Sequence, residues 1–396
     1  MSKDKKVIEK KNWISNFVLI GKPKLSDYTF KTDEHSEKSA WIYSTMNLGV
    51  DCGEKCGTVY CEMMGGYNGE QAGVIYAHGK KEDGSDDFKN QLEIDWEDRF
   101  DESVLASVGD MSFLTVGIEK DSHGKTFYKK FLSAYDAIAY IQKHIDEDMV
   151  LNVKGTLKYS SYQDKTQVRK NIQSIVLSKV EDESKYGAKF TQTLLLNKDS
   201  VDLKSADKVK GIIPVFARVL DYVKEINGTE VKGQYPFNKT FDYEIDLSNE
   251  SLCKTVYDKL FKVKRNVTQV TFEGDLIEGG AVVTATMDDV PQDIKDLIEC
   301  GVFTEEEALA KCSENGNREQ RMVLRKPLIR LVGDDGQKAP VVQLFPDAYT
   351  EEDLMLDIPD ASEVDEPADE VDTTDDVTET EEGATTDASM DWLNSL

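Results

Sequence analysis

The sequence predicts a mainly β protein with minor helices, built as two small five-stranded barrels in tandem and followed by a disordered acidic C-terminal tail. Three observations carry this reading. Alternating apolar and polar runs bounded by Gly, Pro and Asn recur through residues 1–349, the pattern of half-buried strands. A helical period interrupts the strands of each half at the same place in the order. The acidic residues are gathered at the end. The chain has 48 Lys and Arg against 76 Asp and Glu, a net of −28, yet residues 350–396 hold 18 of the acids and no Lys or Arg. Residues 1–349 keep 48 basic against 58 acidic residues, a net of −10. Taken whole, −28 disfavours a nucleic-acid partner. Divided by position, that argument applies to the tail and leaves the body open.

Such a body exceeds one core of common size, so two domains are expected, 12–182 and 183–349, with a mobile basic arm at 1–11 and the tail at 350–396. No apolar run reaches the roughly 18 residues of a membrane span. Met1 to Lys6 is charged and lacks the apolar stretch of a signal peptide. The expectation is a cytoplasmic protein without membrane partners whose six cysteines are reduced thiols.

In the first half, Trp13 to Ile20 is strand-like and ends at Gly21 and Pro23. Trp41 to Val50 is a second strand, and the turn Cys52 to Gly57 leads to a third, Thr58 to Met64. Residues 65–112 form a polar insertion with weak strand signals such as Leu92 to Ile94, before Phe113 to Ile118 returns to strand. Ser133 to His144 is a helix, with Ala134, Ile138 and Ile141 at helical spacing. A hairpin follows: Val150 to Tyr159, a polar connection, and Thr166 to Ser178. Residues 181–187 mark an inter-domain joint.

The second half repeats the order. Phe190 to Leu196 is a strand, and Ile212 to Val223 turns at Asn227-Gly228 toward Phe241 to Ile245, Asn-Gly being a strong hairpin cue. Ser251 to Lys262 is a helix and Val267 to Ile277 a strand. Gly279-Gly280 turns into Ala281 to Thr284, an inserted helical pair spans Pro291 to Cys300 and Thr304 to Cys312, and a basic strand runs Arg321 to Val332. The segments after the two helices share a local form, Val153-Lys154-Gly155-Thr156-Leu157 and Thr271-Phe272-Glu273-Gly274-Asp275-Leu276. The order β-β-β-α-β-β is that of the OB barrel, whose helix plugs one end between strands three and four.

Two stretches resemble the bacterial single-stranded DNA-binding proteins. One is the post-helix hairpin, from Val153-Lys154-Gly155 through Tyr159 and Tyr162 to Gln163-Asp164-Lys165-Thr166-Gln167. The other is the acidic stretch closing on Met390-Asp391-Trp392-Leu393-Asn394-Ser395-Leu396. The family tip usually ends Ile-Pro-Phe, so this one departs from it. Two barrels per chain bring it closer to the longer bacteriophage proteins. The resemblance implies a phage-type protein that coats single-stranded DNA in replication, recombination and repair, forms homo-oligomers, and docks replication or recombination proteins through Trp392, Leu393 and Leu396.

Single-strand binding needs cations along the phosphates and aromatic faces on which bases stack. In such a barrel the groove lies over the second and third strands. Trp41, Tyr43 and Tyr60 are the candidates there, unless that face is the barrel core. Tyr159 and Tyr162 are candidates on the hairpin, flanked by Lys154, Lys158, Lys165, Arg169 and Lys170, unless it is a plain solvated hairpin. Lys129 and Lys130 belong to a basic–aromatic cluster, Phe127 to Phe131, which is either a surface patch or a strand with buried rings. Lys262, Lys264, Arg265, Arg318, Arg321, Arg325, Lys326 and Arg330 extend a backbone track or protect strand edges.

No cofactor or metal is called for. Cys52, Cys56 and Cys61, with His35 or His78, could bind zinc, but the spacing is not that of a paired C-x2-C site. No nucleophile elbow, zincin motif or P-loop occurs, so an enzyme is not expected. Asp95, Glu97 and Asp98 could serve a nuclease or be a solvated loop. The runner-up function is a phage interaction scaffold or structural protein indifferent to DNA.

Overall fold

The computed structural model describes residues 7–71, 73–162, 165–226, 229–279, 290, 292–299, 304–305, 320–333 and 338–356. The first half supplies β1 (Ser15–Lys24), β2 (Phe30–His35), β3 (Trp41–Asp51), β4 (Thr58–Asn68), β5 (Val74–Lys80), β6 (Asp86–Asp95), α1 (Glu102–Ser107), β7 (Leu114–Lys120), β8 (Thr126–Phe131), α2 (Ala134–His144), β9 (Leu151–Tyr162) and β10 (Lys165–Leu177). The second supplies β11 (Gly187–Leu196), β12 (Ile212–Ile226), β13 (Thr229–Glu244), α3 (Glu250–Val256), β14 (Val267–Glu278), α4 (Gln292–Glu299), β15 (Gln320–Pro327), β16 (Ile329–Val332), β17 (Ala339–Val342) and β18 (Leu344–Tyr349).

Each half closes a five-stranded barrel of the same connectivity. In the first, β1 pairs with β3, β3 with β4, β4 with β10 in parallel, β10 with β9, and β9 with β1. In the second, β11 pairs with β12, β12 with β13, β13 with β15 in parallel, β15 with β14, and β14 with β11. A helix enters between the third and fourth strand of each ring, so the order is that of the OB barrel. Ser133 caps α2 by accepting from the Tyr135 amide, and Ala137, Ile138 and Ile141 fill the barrel end. Asn249 caps α3 in the same way through the Leu252 amide. The single helix expected to Lys262 instead gives way to a π turn over Tyr257–Phe261. The wider turn seats Phe261 on Phe272, with centroids 5.7 Å apart and planes within 5°.

The two rings share a seam. β1 lies antiparallel to β11 from Ser15↔Gln192 to Ile20↔Gly187, which sets Phe17 opposite Phe190. Phe17 is also opposite Gly155 of β9, and Phe190 opposite Gly274 of β14. These glycines are the repeat seen in the sequence, and packing explains them. A Cβ on Gly155 would lie 2.8 Å from Phe17 Cε1 and 1.9 Å from the Asn171 carbonyl oxygen. On Gly274 it would lie 2.3 Å from Phe190 Cζ and 2.4 Å from the Val323 carbonyl oxygen. Only glycine lets the phenylalanine rings cross the strands at the seam.

Charge reinforces the seam. Asp275 of β14 is buried and accepts from Lys189 Nζ at 2.5 Å, Lys55 Nζ at 2.6 Å and Arg325 Nε at 2.7 Å. Lys55 belongs to the β3–β4 turn, so the carboxylate ties one barrel to the other. Burial alone would raise its pKa. The hydrogen bonds from Lys189, Lys55 and Arg325 together outweigh burial and hold it down at about 2.

Several expectations are corrected. The arm 1–11 is not mobile where it is described: Ile8 is buried, the Tyr349 hydroxyl donates to the Glu9 carbonyl at 2.8 Å, and Lys11 Nζ donates to the Ala348 carbonyl at 2.8 Å. The tail does not begin at Thr350. Leu354 is buried beside Ile8, Leu195, Leu220, Val267 and Tyr349, and Glu351 accepts from Arg218 and Asn197. The insertion at 65–112 carries the β5–β6 hairpin and a small core of Ala77, Ile94, Val108, Phe113 and Leu132. The last basic strand divides after Pro327, which has no amide hydrogen to continue the ladder, and β16 pairs with β17 instead. Strands β2, β17 and β18 were not foreseen. Residues 357–396, Asn227-Gly228 and most of 280–319 lie outside the described residues, so the tail and the second inserted helix do too.

Substituting Gly274→Ala should cost about 1–3 kcal/mol or more, because backbone and a buried ring must both move; a urea titration reads this as a lower midpoint. Acid should weaken the seam. The Asp275 pKa falls from its ordinary 3.8 to about 2 on folding, so its contribution, on the order of 2 kcal/mol, is complete above about pH 4. It is lost as pH drops through about 2. Asp275→Asn should lack this part of the acid profile when unfolding is followed from pH 5 to 2.

Candidate nucleic-acid interface

Strand alternation decides which face of β3 and β4 is available. Ser44, Met46, Leu48 and Val50 of β3 are buried, as are Val59, Cys61 and Met63 of β4. Trp41, Tyr43 and Tyr60 therefore point away from the core, since successive side chains alternate faces. The pairing register sets a glycine opposite each tyrosine. Tyr43 is opposite Gly66 and Tyr60 opposite Gly49. A Cβ on Gly66 would lie 2.8 Å from Tyr43 Cβ, and one on Gly49 would lie 3.2 Å from Tyr60 Cε1. The Tyr60 ring thus lies against Gly49, and Tyr43 stands six residues along β3 from that glycine, so the outer wall is a shelf with one tyrosine toward each end.

The β9–β10 hairpin borders this shelf. Arg169 reaches toward Glu62 of the shelf face, Nε to Oε1 at 3.9 Å. Beyond the first barrel the hairpin leans over the second and borders an open cavity of about 410 Å³. Its lining includes Tyr162, Lys165, Arg169 and Lys170 from the hairpin, Lys239 from β13, and Arg321 from β15. Glu278 is the acid among its lining residues. Tyr162 is 60% exposed, so its ring is open to a stacking partner. Lys170 is 7% exposed and pairs with Glu278 at 2.5 Å, so it shapes the cleft wall and is not a free surface cation. The other oxygen of Glu278 accepts from the Tyr60 amide at 3.1 Å, linking shelf and cleft.

Tyr159 is the main correction among the site residues. It is 4% exposed, its hydroxyl donates to Gln192 Oε1 at 3.0 Å, and its amide donates to Asp221 Oδ2 at 2.7 Å. Burial, then the Asp221 charge, pushes its phenol pKa well above the ordinary value. The sequence places Tyr159 on a polar hairpin. The hairpin overshoots its own barrel, and its inward face meets the second one, leaving no ring face for a base. Lys158 sits beside the same carboxylate, 3.6 Å from Asp221. Lys154 is half-buried on β9, and burial lowers its pKa.

Lys129 and Lys130 stand apart on β8, beyond β10 and β7 in the sheet order. Lys129 Nζ lies 4.6 Å from the Tyr140 ring centroid and Lys130 pairs with Asp110 at 3.0 Å. The segment is a strand whose Phe131 is buried while Phe127 and Tyr128 are exposed. Of the later cations, Arg325 and Lys326 are engaged by Asp275 and Glu273, and Arg318 lies outside the described residues. Lys264 and Arg265 line a separate cavity of about 410 Å³ beside Glu351. Cys52, Cys56 and Cys61 are buried thiols, and Cys56 Sγ accepts from the Ala188 amide at 3.4 Å. Asp95 to Asp98 form an exposed turn that Arg99 follows, paired with Asp136 and stacked on Trp96. Trp392, Leu393 and Leu396 lie outside the described residues. Lys239 and Glu278 were missed in the sequence. Lys239 stands on β13, the third strand of the second ring, and carries no local sequence signal that would have pointed to it.

No family model matches the chain, and no curated protein does. Among solved structures, the wild-type single-stranded DNA binding protein from Thermus aquaticus aligns over 82% of this chain and 97% of its own, at 8% identity and a TM-score of 0.33. A deletion mutant of that protein aligns over 82% and 98%, at 10% identity and a TM-score of 0.32. The fold assignment rests on the strand pairings and not on these.

Tyr159→Phe should cost about 1 kcal/mol by leaving Gln192 Oε1 with one buried partner fewer. Thermal unfolding checks this as a fall of a few degrees.

Proposed function

We infer that this protein binds single-stranded DNA on the outer wall of its first barrel. The observation that carries the reading is the outward shelf of β3 and β4: Tyr43 and Tyr60, each opposite a glycine of the neighbouring strand, bordered by a hairpin that presents Tyr162, Lys165 and Arg169. Stacking on such faces tolerates any base and the cations track the phosphates. The body's net of −10 does not oppose this, because five cations and one acid line the cleft beside the shelf. The protein acts by coating the strand and has no catalytic step. A phage origin, a role in replication, recombination or repair, and partners docked on Trp392, Leu393 and Leu396 are the finer parts of the reading. They rest on the hairpin and tail resemblance.

The second reading, a protein-interaction scaffold, is favoured by a different observation. The β16–β17 hairpin stands apart from the barrels and exposes Ile329, Leu331, Val332 and Val341. The two readings separate in one titration. Fluorescence anisotropy with labelled oligo(dT) should show binding that weakens steeply with salt. Tyr43→Ala, Tyr60→Ala and Tyr162→Ala should each lose about 1–3 kcal/mol of affinity, roughly 5- to 150-fold. Absence of binding at low salt, with and without residues 357–396, overturns the DNA reading and leaves the scaffold.

A further inference from the structure

The second barrel's side of the cleft holds a cation that the outer-wall reading does not use. Among the basic residues that line the cavity, Lys170 and Arg321 have close carboxylate partners. Lys170 has Glu278 at 2.5 Å. Arg321 has Asp242 at 2.6 Å and Glu244 at 3.2 Å. Lys239 is different: half-buried on β13, it makes no hydrogen bond or ion pair among the described residues. Asp242, three residues along its own strand, is turned to Arg321. Burial, then repulsion from Lys170, lowers the Lys239 pKa, and Asp242 opposes this only in part. A partly desolvated ammonium next to a second one is costly unless an anion joins it.

The chemistry of that anion follows from its surroundings. The cavity, about 410 Å³, is large enough for a piece of nucleic-acid backbone. Tyr162, exposed at its edge, offers a stacking face beside the cations, which a bare inorganic ion does not need and a nucleotide does. Arg169 belongs to both places, since it lines the cavity and faces Glu62 on the shelf. A single strand lying over Tyr60 therefore reaches the cleft by way of Arg169.

We propose that the cleft between the barrels seats a phosphodiester of the bound single strand, with Lys239 supplying the second barrel's contact, so that one strand engages both barrels. This rests on the single-stranded DNA reading above and extends it from one barrel to two. Lys170 contributes the opposing wall, held in place by Glu278. The phosphate supplies the anionic partner that Lys239 lacks among the described residues.

The full-length protein tests this in two ways. First, lysine acetylation followed by mass spectrometry should modify Lys239 in the free protein and show at least a severalfold lower rate with saturating oligo(dT). Second, oligo(dT) titrations across a salt series should show that Lys239→Ala binds about tenfold more weakly than wild type at low salt. Its slope of log K against log salt should also be smaller by about one unit, as loss of one phosphate contact requires. Lys239→Arg should keep the wild-type slope. Suppose wild type binds, but Lys239→Ala keeps both affinity and slope and oligo(dT) leaves acetylation unchanged. Then the cleft assignment is overturned while the outer-wall reading stands. If wild type binds no oligo(dT), both fall together. If Lys239→Ala does not fold, acetylation of wild type and the Lys239→Arg slope decide: protection with an unchanged slope supports the assignment, and no protection overturns it.

Discussion

The backbone of β1 is hydrogen-bonded along both edges, and every larger feature of the molecule depends on this. Residues 16–20 pair with β9 on one side, closing the first barrel, and with β11 on the other, joining the second. β11 does the same in reverse, lying between β1 and β14. Two barrels that would each present an exposed strand edge use that edge on one another. The side chains of this seam are buried on both faces, so Phe17, Val18 and Leu19 are all in the core. The glycines opposite the phenylalanines and the carboxylate of Asp275 follow from the same crowding. A backbone approach this close leaves room for a hydrogen atom and little else, and a buried charge there must be fully matched.

The ring order was legible because it is written in short-range signals. Alternation, the capped helix in each half and the Gly155/Gly274 repeat are local features. The β-β-β-α-β-β order follows from them without knowledge of any long-range contact. The outward direction of Trp41, Tyr43 and Tyr60 was half legible: their spacing places Trp41 and Tyr43 on one face, but only the burial of Met46 and Leu48 shows which face is the core. What was illegible is set by the second barrel. Tyr159 has a polar neighbourhood in sequence, and its partners Gln192 and Asp221 are tens of residues away. Likewise the fate of Lys239 depends on Lys170, and that of Ile8 on Tyr349 and Leu354. No periodicity reports contacts of that kind.

Net charge also reads differently once positions are known. The body is acidic on balance, but its opposite charges are sorted. Many cations outside the cleft are neutralised in place, as Lys55 and Lys189 are by Asp275 and Lys326 by Glu273. In the cleft Lys170, Arg321 and Arg169 follow the same rule, and Lys239 departs from it among the described residues. An acidic protein whose cations are mostly neutralised in place offers anions few positions, whereas a uniformly basic one would bind them everywhere.

The contacts between the two ends of the described chain carry a consequence for how the molecule is made. Glu9 accepts from Tyr349 and Lys11 donates to Ala348, sequence separations of 340 and 337 residues. The apolar cluster that covers Ile8 is complete only when Tyr349 and Leu354 have joined Leu195, Leu220 and Val267. During synthesis the first barrel therefore emerges with its leading segment unplaced and the outer edge of β1 open. It must wait for β11, and then for the strap of β18, before either is covered. Topologies dominated by such distant pairings assemble slowly and expose sticky edges meanwhile. The interval between translation of β1 and of β18 is then the period in which this protein most needs protection from its own copies.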